Sequence, residues 1–195
     1  MHWGERMGLK VITAPTVEPV TLTEAKLHQR VDLSADDDLV TMWISAIREH
    51  AEHLTERALA PATFCLYLDA FPCDGIEIPR PPLTAISSIQ YYDTTGTLVT
   101  LAGADYYVDD AQEPAWVLPA YGTMWPGTYD IANAVRVTFT AGYSAALIPT
   151  PIKAYILAAL GTCYANREST AQADRVPKTI DFLDRLLDRY RVWSA

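Results

Sequence analysis

The stretch EPVTLTEAKLHQRVD, residues 18–32, sets the start of the fold. Thr21 and Glu24 have the spacing of a capping box. In this motif the hydroxyl of the first residue accepts a hydrogen bond from the backbone amide of the second, and the carboxylate reaches back to the first amide. The spacing predicts a short helix over residues 22–30.

A second element of the same form, Ser34-x-x-Asp37, comes directly after it. Two more aspartates flank Asp37, where negative charge suits the positive end of a helix dipole. We therefore predict a long helix over residues 35–57, which Pro61 separates from the next segment of the chain. Its side chains at helical spacing form a stripe broad enough for more than one neighbour; the members are Leu39, Val40, Trp43, Ile44, Ala46, Ile47, His50, Ala51 and Leu54.

From Thr63 the periodicity changes from helical to alternating, as in half-buried strands. We predict a β-rich section over residues 63–143, with a hairpin turn at Thr94-Thr95-Gly96, where glycine supplies a positive φ. Because strands lie between helical segments, the order favours an α+β fold over a doubly wound α/β fold. We expect the N- and C-terminal helices to pack as a small bundle with an inserted β-meander.

Helical patterns return near the end of the chain, where a helix is predicted over residues 151–166 with Pro151 at its first position. Residues 169–195 are interpreted as a linker followed by a C-terminal docking helix. Residues 1–17 are interpreted as a flexible N-terminal arm. The main domain, between these two segments, then spans residues 18–168.

The chain has 195 residues, of which half are hydrophobic, and a formal net charge of −9. This composition is that of a globular protein, and its apolar stretches fall short of the roughly 20 residues that a membrane span needs. An acidic chain does not bind DNA by general attraction, since that affinity comes from Lys and Arg at phosphates. The cysteines Cys65, Cys73 and Cys163 show no pairing pattern, and we interpret Cys65 and Cys163 as small core residues.

No sequence pattern indicates catalysis, because nucleophile-elbow, zinc-protease and phosphate-loop motifs are missing. His50 and His53 lie one turn apart among glutamates, but a metal site in a bundle also needs ligands from facing helices. We expect His50 to be partly buried and His53 to lie on a solvated face. The expectation is therefore a protein that is not an enzyme, with no catalytic, cofactor-binding or metal-binding residues.

The end of the chain holds the one cluster that is both basic and aromatic. Three interpretations stay open for it: nucleic-acid binding, docking into a groove of another protein, and a helix end folded back on its own core. Tyr, Trp and Arg are common interface anchors, which favours docking over nucleic-acid binding. The candidate docking residues are Arg185, Arg189, Tyr190, Arg191, Val192 and Trp193.

Six short signatures occur in a fixed order: the opening stretch, REHAEHLTERAL (48–59), IEIPRPPL (76–83), YYVDD (106–110), VRVTFTAGY (135–143) and PTPIKAYILAALGTCYANRE (149–168). Each motif alone is weak, but their order and spacing are fairly specific. Together they resemble the head–tail connector (adaptor) proteins of tailed bacteriophages and gene transfer agents. The match extends over about residues 18–168.

This resemblance implies a structural protein of the virion or phage-like particle, made in the bacterial cytoplasm. Such proteins form a homo-oligomeric ring, typically a dodecamer, under the portal protein. The ring extends the DNA channel without binding DNA specifically, and it offers a docking face to stopper or tail-completion proteins. No membrane is involved.

A cyclic ring joins one face of a subunit to a different face of its neighbour. Each subunit therefore needs two surfaces beyond its core, and our candidates are Trp43, Ile47, Trp116, Tyr121 and Trp125. The alternative function is a small non-enzymatic regulatory or nucleic-acid-associated α+β domain.

Overall fold

The computed structural model describes residues 7–32, 34–165 and 180–192. These residues form two compact units. One unit contains the described residues within 1–16 and 61–142 and is built from strands. The other contains those within 17–60 and 143–195 and is built from helices. The fold is thus mixed α and β, as predicted, with antiparallel sheets.

The strand unit contains eight strands in two sheets. Their bounds are β1 Met7–Thr13, β2 Ala62–Leu68, β3 Ile76–Ile78, β4 Leu83–Tyr92, β5 Leu98–Thr100, β6 Tyr106–Asp109, β7 Ala115–Pro119 and β8 Val135–Ala141. The larger sheet has the order β1-β2-β8-β4-β5, and the smaller has the order β3-β7-β6.

The prediction of a β-meander was wrong, because β8 lies between β2 and β4 rather than beside β7. Its sequence, VRVTFTA, alternates strictly, and Val135, Val137 and Phe139 are fully buried. In the register of the sheet these three residues pair with Leu68, Leu66 and Phe64 of β2. A strand this apolar on one face is best covered at the centre of a sheet. Its position between β2 and β4, which are distant in sequence, is therefore favoured over pairing with β7, the strand before it.

The helical unit contains α1 Leu22–Gln29, α2 Asp37–Thr55, α3 Thr150–Ala165 and α4 Ile180–Arg185, followed by a 3-10 turn at Asp188–Tyr190. Elements from both ends of the chain share one apolar core. The fully buried members with the largest side chains are Val20, Val40, Leu59, Ile152, Ile156, Leu160 and Leu187.

The capping box at the start of α1 is confirmed. The Glu24 amide donates to Thr21 Oγ1 at 3.1 Å, and the Thr21 amide donates to Glu24 Oε2 at 2.8 Å. Glu24 also accepts from Lys153 Nζ at 3.3 Å, which ties α1 to α3. The helix ends at Arg30 in the left-handed conformation, with φ 55°.

The prediction of a second capping box was wrong. Helix α2 is capped at Asp36 with no side-chain cap hydrogen bond, and Ser34 offers only its carbonyl, to the Asp37 amide. The carboxylates have other partners: Asp37 accepts from Lys26 at 2.6 Å, and Asp36 accepts from the Tyr164 hydroxyl at 2.8 Å. Bonds to α1 and α3 thus replace a local cap.

The interpretation of residues 1–17 as a flexible arm was wrong for residues 7–13. They form β1, which pairs antiparallel with β2 from Met7↔Leu68 to Thr13↔Thr63. The segment MGLKVIT is rich in residues that favour strands, and its short length concealed this pattern.

Replacing Glu24 with Gln is expected to lower the free energy of unfolding by at most about 1 kcal/mol at pH 7, because the Glu24 side chain is 46% exposed. The hydrogen bond from the Thr21 amide, followed by further contacts with Thr21 and Lys153, holds the Glu24 pKa below 4.5 in spite of some desolvation. A lowered folded-state pKa means that this stability is present above pH 4.5 and is lost as the pH falls through the folded value.

Urea unfolding at pH 7 and at pH 3 tests this expectation. The difference in free energy of unfolding between wild type and Glu24→Gln should be smaller at pH 3 than at pH 7. A matched control, Glu77→Gln on an exposed position of β3, should show no such gap at pH 7. A gap that is independent of pH would contradict the assignment to the Glu24 charge.

Candidate interaction surfaces

A buried arginine holds the helical unit together. Arg48 on α2 is 5% exposed. Its Nε donates to Glu18 at 2.8 Å, and one terminal nitrogen donates to Glu52 at 2.7 Å. The other terminal nitrogen donates to Glu49 at 3.3 Å. Glu18 precedes α1, so this ion pair joins the opening signature of the sequence to the second signature.

Electrostatics favours the charged form of Arg48. Burial acts to lower the pKa of the guanidinium, but attraction to Glu52, Glu18 and Glu49 outweighs burial and raises the pKa above its usual value. Glu52 has a second contact, since its Oε1 accepts from the Leu59 amide at 2.8 Å. The network therefore also fixes the chain just after α2.

The C-terminal segment folds onto the end of α2. Leu187 is fully buried in the core of the helical unit. Arg57 Nε donates to the carbonyl of Tyr190, and the Val192 amide donates to the carbonyl of Thr55 at 2.9 Å. Three interpretations were open for the C-terminal cluster. For residues 187–192 the structure agrees with the one in which the helix end folds back on its own core.

The candidate docking residues divide into two groups. Arg185 and Arg189 are exposed, whereas Tyr190 and Val192 are half-buried and contact their own unit. Arg191 Nε lies 3.3 Å from an Asp188 carboxylate oxygen, a charge contact without hydrogen-bond geometry. Trp193 lies outside the described residues.

An apolar groove of about 280 Å³ runs between α2, α3 and α4 of the helical unit. Trp43, Ala46 and His50 line one side, and Tyr155 and Leu183 contribute to the other. Burial, reinforced by the Asp184 carboxylate, raises the pKa of Tyr155 to about 12, so its hydroxyl is neutral at physiological pH. His50 is exposed, against the expectation of partial burial, because the core-facing stripe is centred on Ile44 and Ala51.

The candidate subunit-interface residues of α2 differ in exposure. Ile47 is 8% exposed and belongs to the core, so it offers little surface to a neighbour. Trp43 is half-buried and meets Tyr164 edge to face, with ring centroids 6.2 Å apart. Of the two, Trp43 is the residue that another chain can reach.

The other candidates belong to the strand unit. Trp116 is half-buried on β7, the middle strand of the smaller sheet. Trp125 stacks on Phe71 at 4.8 Å, so most of one ring face is covered. Tyr121 is fully exposed, as is Met124 at 90%. The structure thus leaves Tyr121, in the loop after β7, as the accessible candidate.

Sequence reasoning missed an exposed surface on β1. All seven residues of this strand are exposed, and four of them, Met7, Leu9, Val11 and Ile12, are apolar. The signal was present as the apolar alternation of Met7, Leu9 and Val11. It was overlooked because the segment was interpreted as an arm.

Cys65 is buried, as expected of a core residue, while Cys163 is half-buried and Cys73 is exposed. Within residues 7–32, 34–165 and 180–192, no three His, Cys, Asp or Glu side chains converge as a metal site would require. None of the helices in the same ranges is long and apolar enough to cross a membrane.

Comparison with known proteins agrees with the resemblance. Residues 19–97 match the sequence profile of a family described as Phage gp6-like head-tail connector protein. These residues contain the capping box and most of the Arg48 network. No curated protein is similar enough in sequence to match the chain.

Solved structures extend the similarity over the fold. A chain in a structure of the virion of a native gene transfer agent particle is 23% identical, with a TM-score of 0.77 and 96% of both chains covered. A chain in the neck of an empty gene transfer agent particle, computed with C6 symmetry, is 24% identical with a TM-score of 0.75; 96% of this chain and 97% of that chain are covered.

A third chain, in the neck of a native gene transfer agent particle computed with C12 symmetry, is 25% identical with a TM-score of 0.68 and the same coverage. The resemblance to head–tail connector proteins is therefore confirmed, by the family match over residues 19–97 and by a fold similar to that of chains in gene transfer agent necks.

Proposed function

We propose that this chain is a structural head–tail connector, or adaptor, of a phage or gene transfer agent particle. It forms a ring under the portal, extends the DNA channel and joins the capsid to stopper or tail-completion proteins. The observation that carries this proposal is the similarity of fold, over 96% of the chain, to chains in gene transfer agent necks. The role requires no catalysis and no cofactor.

A homo-oligomeric ring, a dodecamer, is the assembly we propose. The similar neck structures were computed with sixfold and twelvefold symmetry, which supports a cyclic arrangement. The net charge of −9 suits the channel role. DNA that must slide past a subunit should meet few Lys and Arg side chains, because these are the groups that hold phosphates.

The terminal helices, we further propose, pack as one small bundle. Helices α1, α2 and α3 are joined by three polar links: Lys26 with Asp37, Lys153 with Glu24, and Tyr164 with Asp36. Together with the shared apolar core, these links restrict sliding between the helices. A unit of this kind can hold a docking surface in a defined geometry.

Docking on the portal is proposed for the C-terminal segment. The exposed guanidinium groups of Arg185 and Arg189 can pair with carboxylates of a partner, while the half-buried Tyr190 and Val192 hold the segment on α2. Arg191 and Trp193, the latter outside the described residues, complete the set of candidate docking residues. Because some of its residues are half-buried and others are exposed, one short segment can both complete its own unit and present charge to another protein.

Co-purification with the portal protein of the same particle, followed by particle imaging, tests the function. A symmetric ring stacked on the portal is the expected result. A chain that ignores the portal, and instead binds DNA in a salt-dependent way, would favour the nucleic-acid-associated alternative.

The docking surface is tested by Arg185→Ser with Arg189→Ser, which is expected to weaken portal binding about tenfold, the effect of losing a good interface contact. Arg30→Asn is the matched control, because it removes an exposed arginine at a left-handed position that asparagine tolerates. Unchanged portal binding in the double variant, and after deletion of residues 189–195, would show that another surface binds the portal.

A further inference from the structure

The apolar face of the larger sheet continues into an uncovered strand. On this face Phe64, Leu66 and Leu68 of β2 are at most 7% exposed. Their register partners on β1 are Val11, Leu9 and Met7. These three are 53%, 38% and 59% exposed. The same side of the sheet is therefore buried at β2 and open at β1.

An exposed apolar edge strand is costly for a protein, because its unpaired backbone groups accept strands from other chains. Soluble proteins usually block such an edge with charged residues, prolines or bulges. Strand β1 carries one charge, Lys10, and no proline. Its one register irregularity lies at its end, between Val11 and Thr13, so the strand is regular from Met7 to Val11. An edge left in this state is best explained by a strand that covers it in the assembled protein.

The opposite edge of the same sheet is also open. Strand β5 pairs only with β4, so no strand within the described residues lies on its other side. Counting the antiparallel pairings from β1 through β2, β8 and β4 shows that β1 and β5 run in the same direction. Val99 of β5 pairs with Tyr91, and Tyr91 pairs with Val135 on the apolar face. The apolar face therefore lies on the same side of the sheet at β5 as at β1.

We propose that β1 of one subunit pairs with β5 of a second copy of this chain, so that the sheets join from subunit to subunit around the ring. The inference rests on the proposed ring. A head-to-tail contact needs two different surfaces on each subunit, and two unlike edges of one sheet meet this need. Neighbours in a twelvefold ring are related by a small rotation, which changes strand direction little, so the joining pair is parallel.

The second copy is a better occupant than a different protein for a geometric reason. A partner strand that covered only β1 would leave β5 open in every subunit. Pairing between copies closes both edges at once, and it covers Met7, Leu9 and Val11 with the continuation of the apolar face to which they belong.

Cysteine cross-linking tests the contact directly. Lys10 and Leu98 are both exposed, and the register places both on the face opposite the apolar one. In a Cys73→Ser background, which removes the exposed native thiol, Lys10→Cys is combined with Leu98→Cys, and in a second variant with Thr100→Cys, to allow for either register. A disulfide forms only when the two Cα atoms come within about 7 Å.

We expect mild oxidation of one of the double variants to give a ladder of covalent oligomers, while each single variant gives dimers at most. Ring formation is recorded on the same samples by imaging, alone and with the portal protein. Rings without a ladder would overturn the strand pairing and leave the ring intact. The absence of both would overturn both, and cross-linking of β1 to the portal would assign this edge to that partner instead.

A blocking variant gives an independent readout. Leu9→Lys with Val11→Lys places two charges on the uncovered face and is expected to reduce the ring population at least tenfold. Tyr107→Lys, at a residue of the smaller sheet that is 52% exposed, is the matched control and should assemble normally. Unchanged assembly of a folded blocking variant would overturn the proposal.

Discussion

Replacing Arg48 with Met should lower the free energy of unfolding by about 3 kcal/mol, because removal of one member of a buried ion pair leaves its partners uncompensated. Glu18 and Glu52 are 27% and 19% exposed, so water relieves only part of the penalty. Met is similar in length to the aliphatic part of Arg, so the variant removes the charge with little loss of packing volume.

Urea unfolding followed by far-ultraviolet circular dichroism measures this loss in the helical unit. The matched control is Arg189→Met, an exposed arginine of the same unit, which should change stability by less than about 0.5 kcal/mol. The stability of Arg48→Lys should lie between those of wild type and Arg48→Met, since lysine retains the charge but not the planar set of donors of arginine. Equal stability of Arg48→Met and the control would contradict the structural role of the network.

Replacing Leu187 with Ala should also destabilise the helical unit by about 3 kcal/mol, within the usual range for a fully buried leucine. The result matters for function, because residue 187 lies within the proposed portal-docking segment. A segment that only docks on the portal would tolerate this change in the free protein. A segment that completes the core of its own unit would not.

The matched control is Leu147→Ala, at a leucine that is 73% exposed. This variant should change the free energy of unfolding little. Hydrogen exchange at the Val192 amide adds a local readout, since this amide donates to the Thr55 carbonyl. Leu187→Ala should accelerate its exchange relative to amides of the strand unit. Wild-type stability and exchange in Leu187→Ala would show that the segment is not part of the folded core.

Local signals gave the reliable sequence predictions. The Thr21–Glu24 box formed because both partners lie within one helical turn. The hairpin at residues 93–97 formed for a similar reason: Asp93 accepts from the Thr95 and Thr97 amides at 2.8 and 3.0 Å, and Gly96 takes φ 81°. Ser34 failed as a cap although its spacing was correct, since Lys26 and Tyr164 bind the nearby aspartates instead.

The amino-acid sequence by itself determined the order of helices and strands after residue 17, the first helix cap, and the resemblance to head–tail connectors, because these depend on residues near one another or on motif order. Only the tertiary structure decided that β8 lies between β2 and β4, that Arg48 binds Glu18 thirty residues away, and that β1 joins a sheet yet keeps an open apolar face. These features depend on which distant segments bury one another, and no local pattern in a single chain encodes that choice.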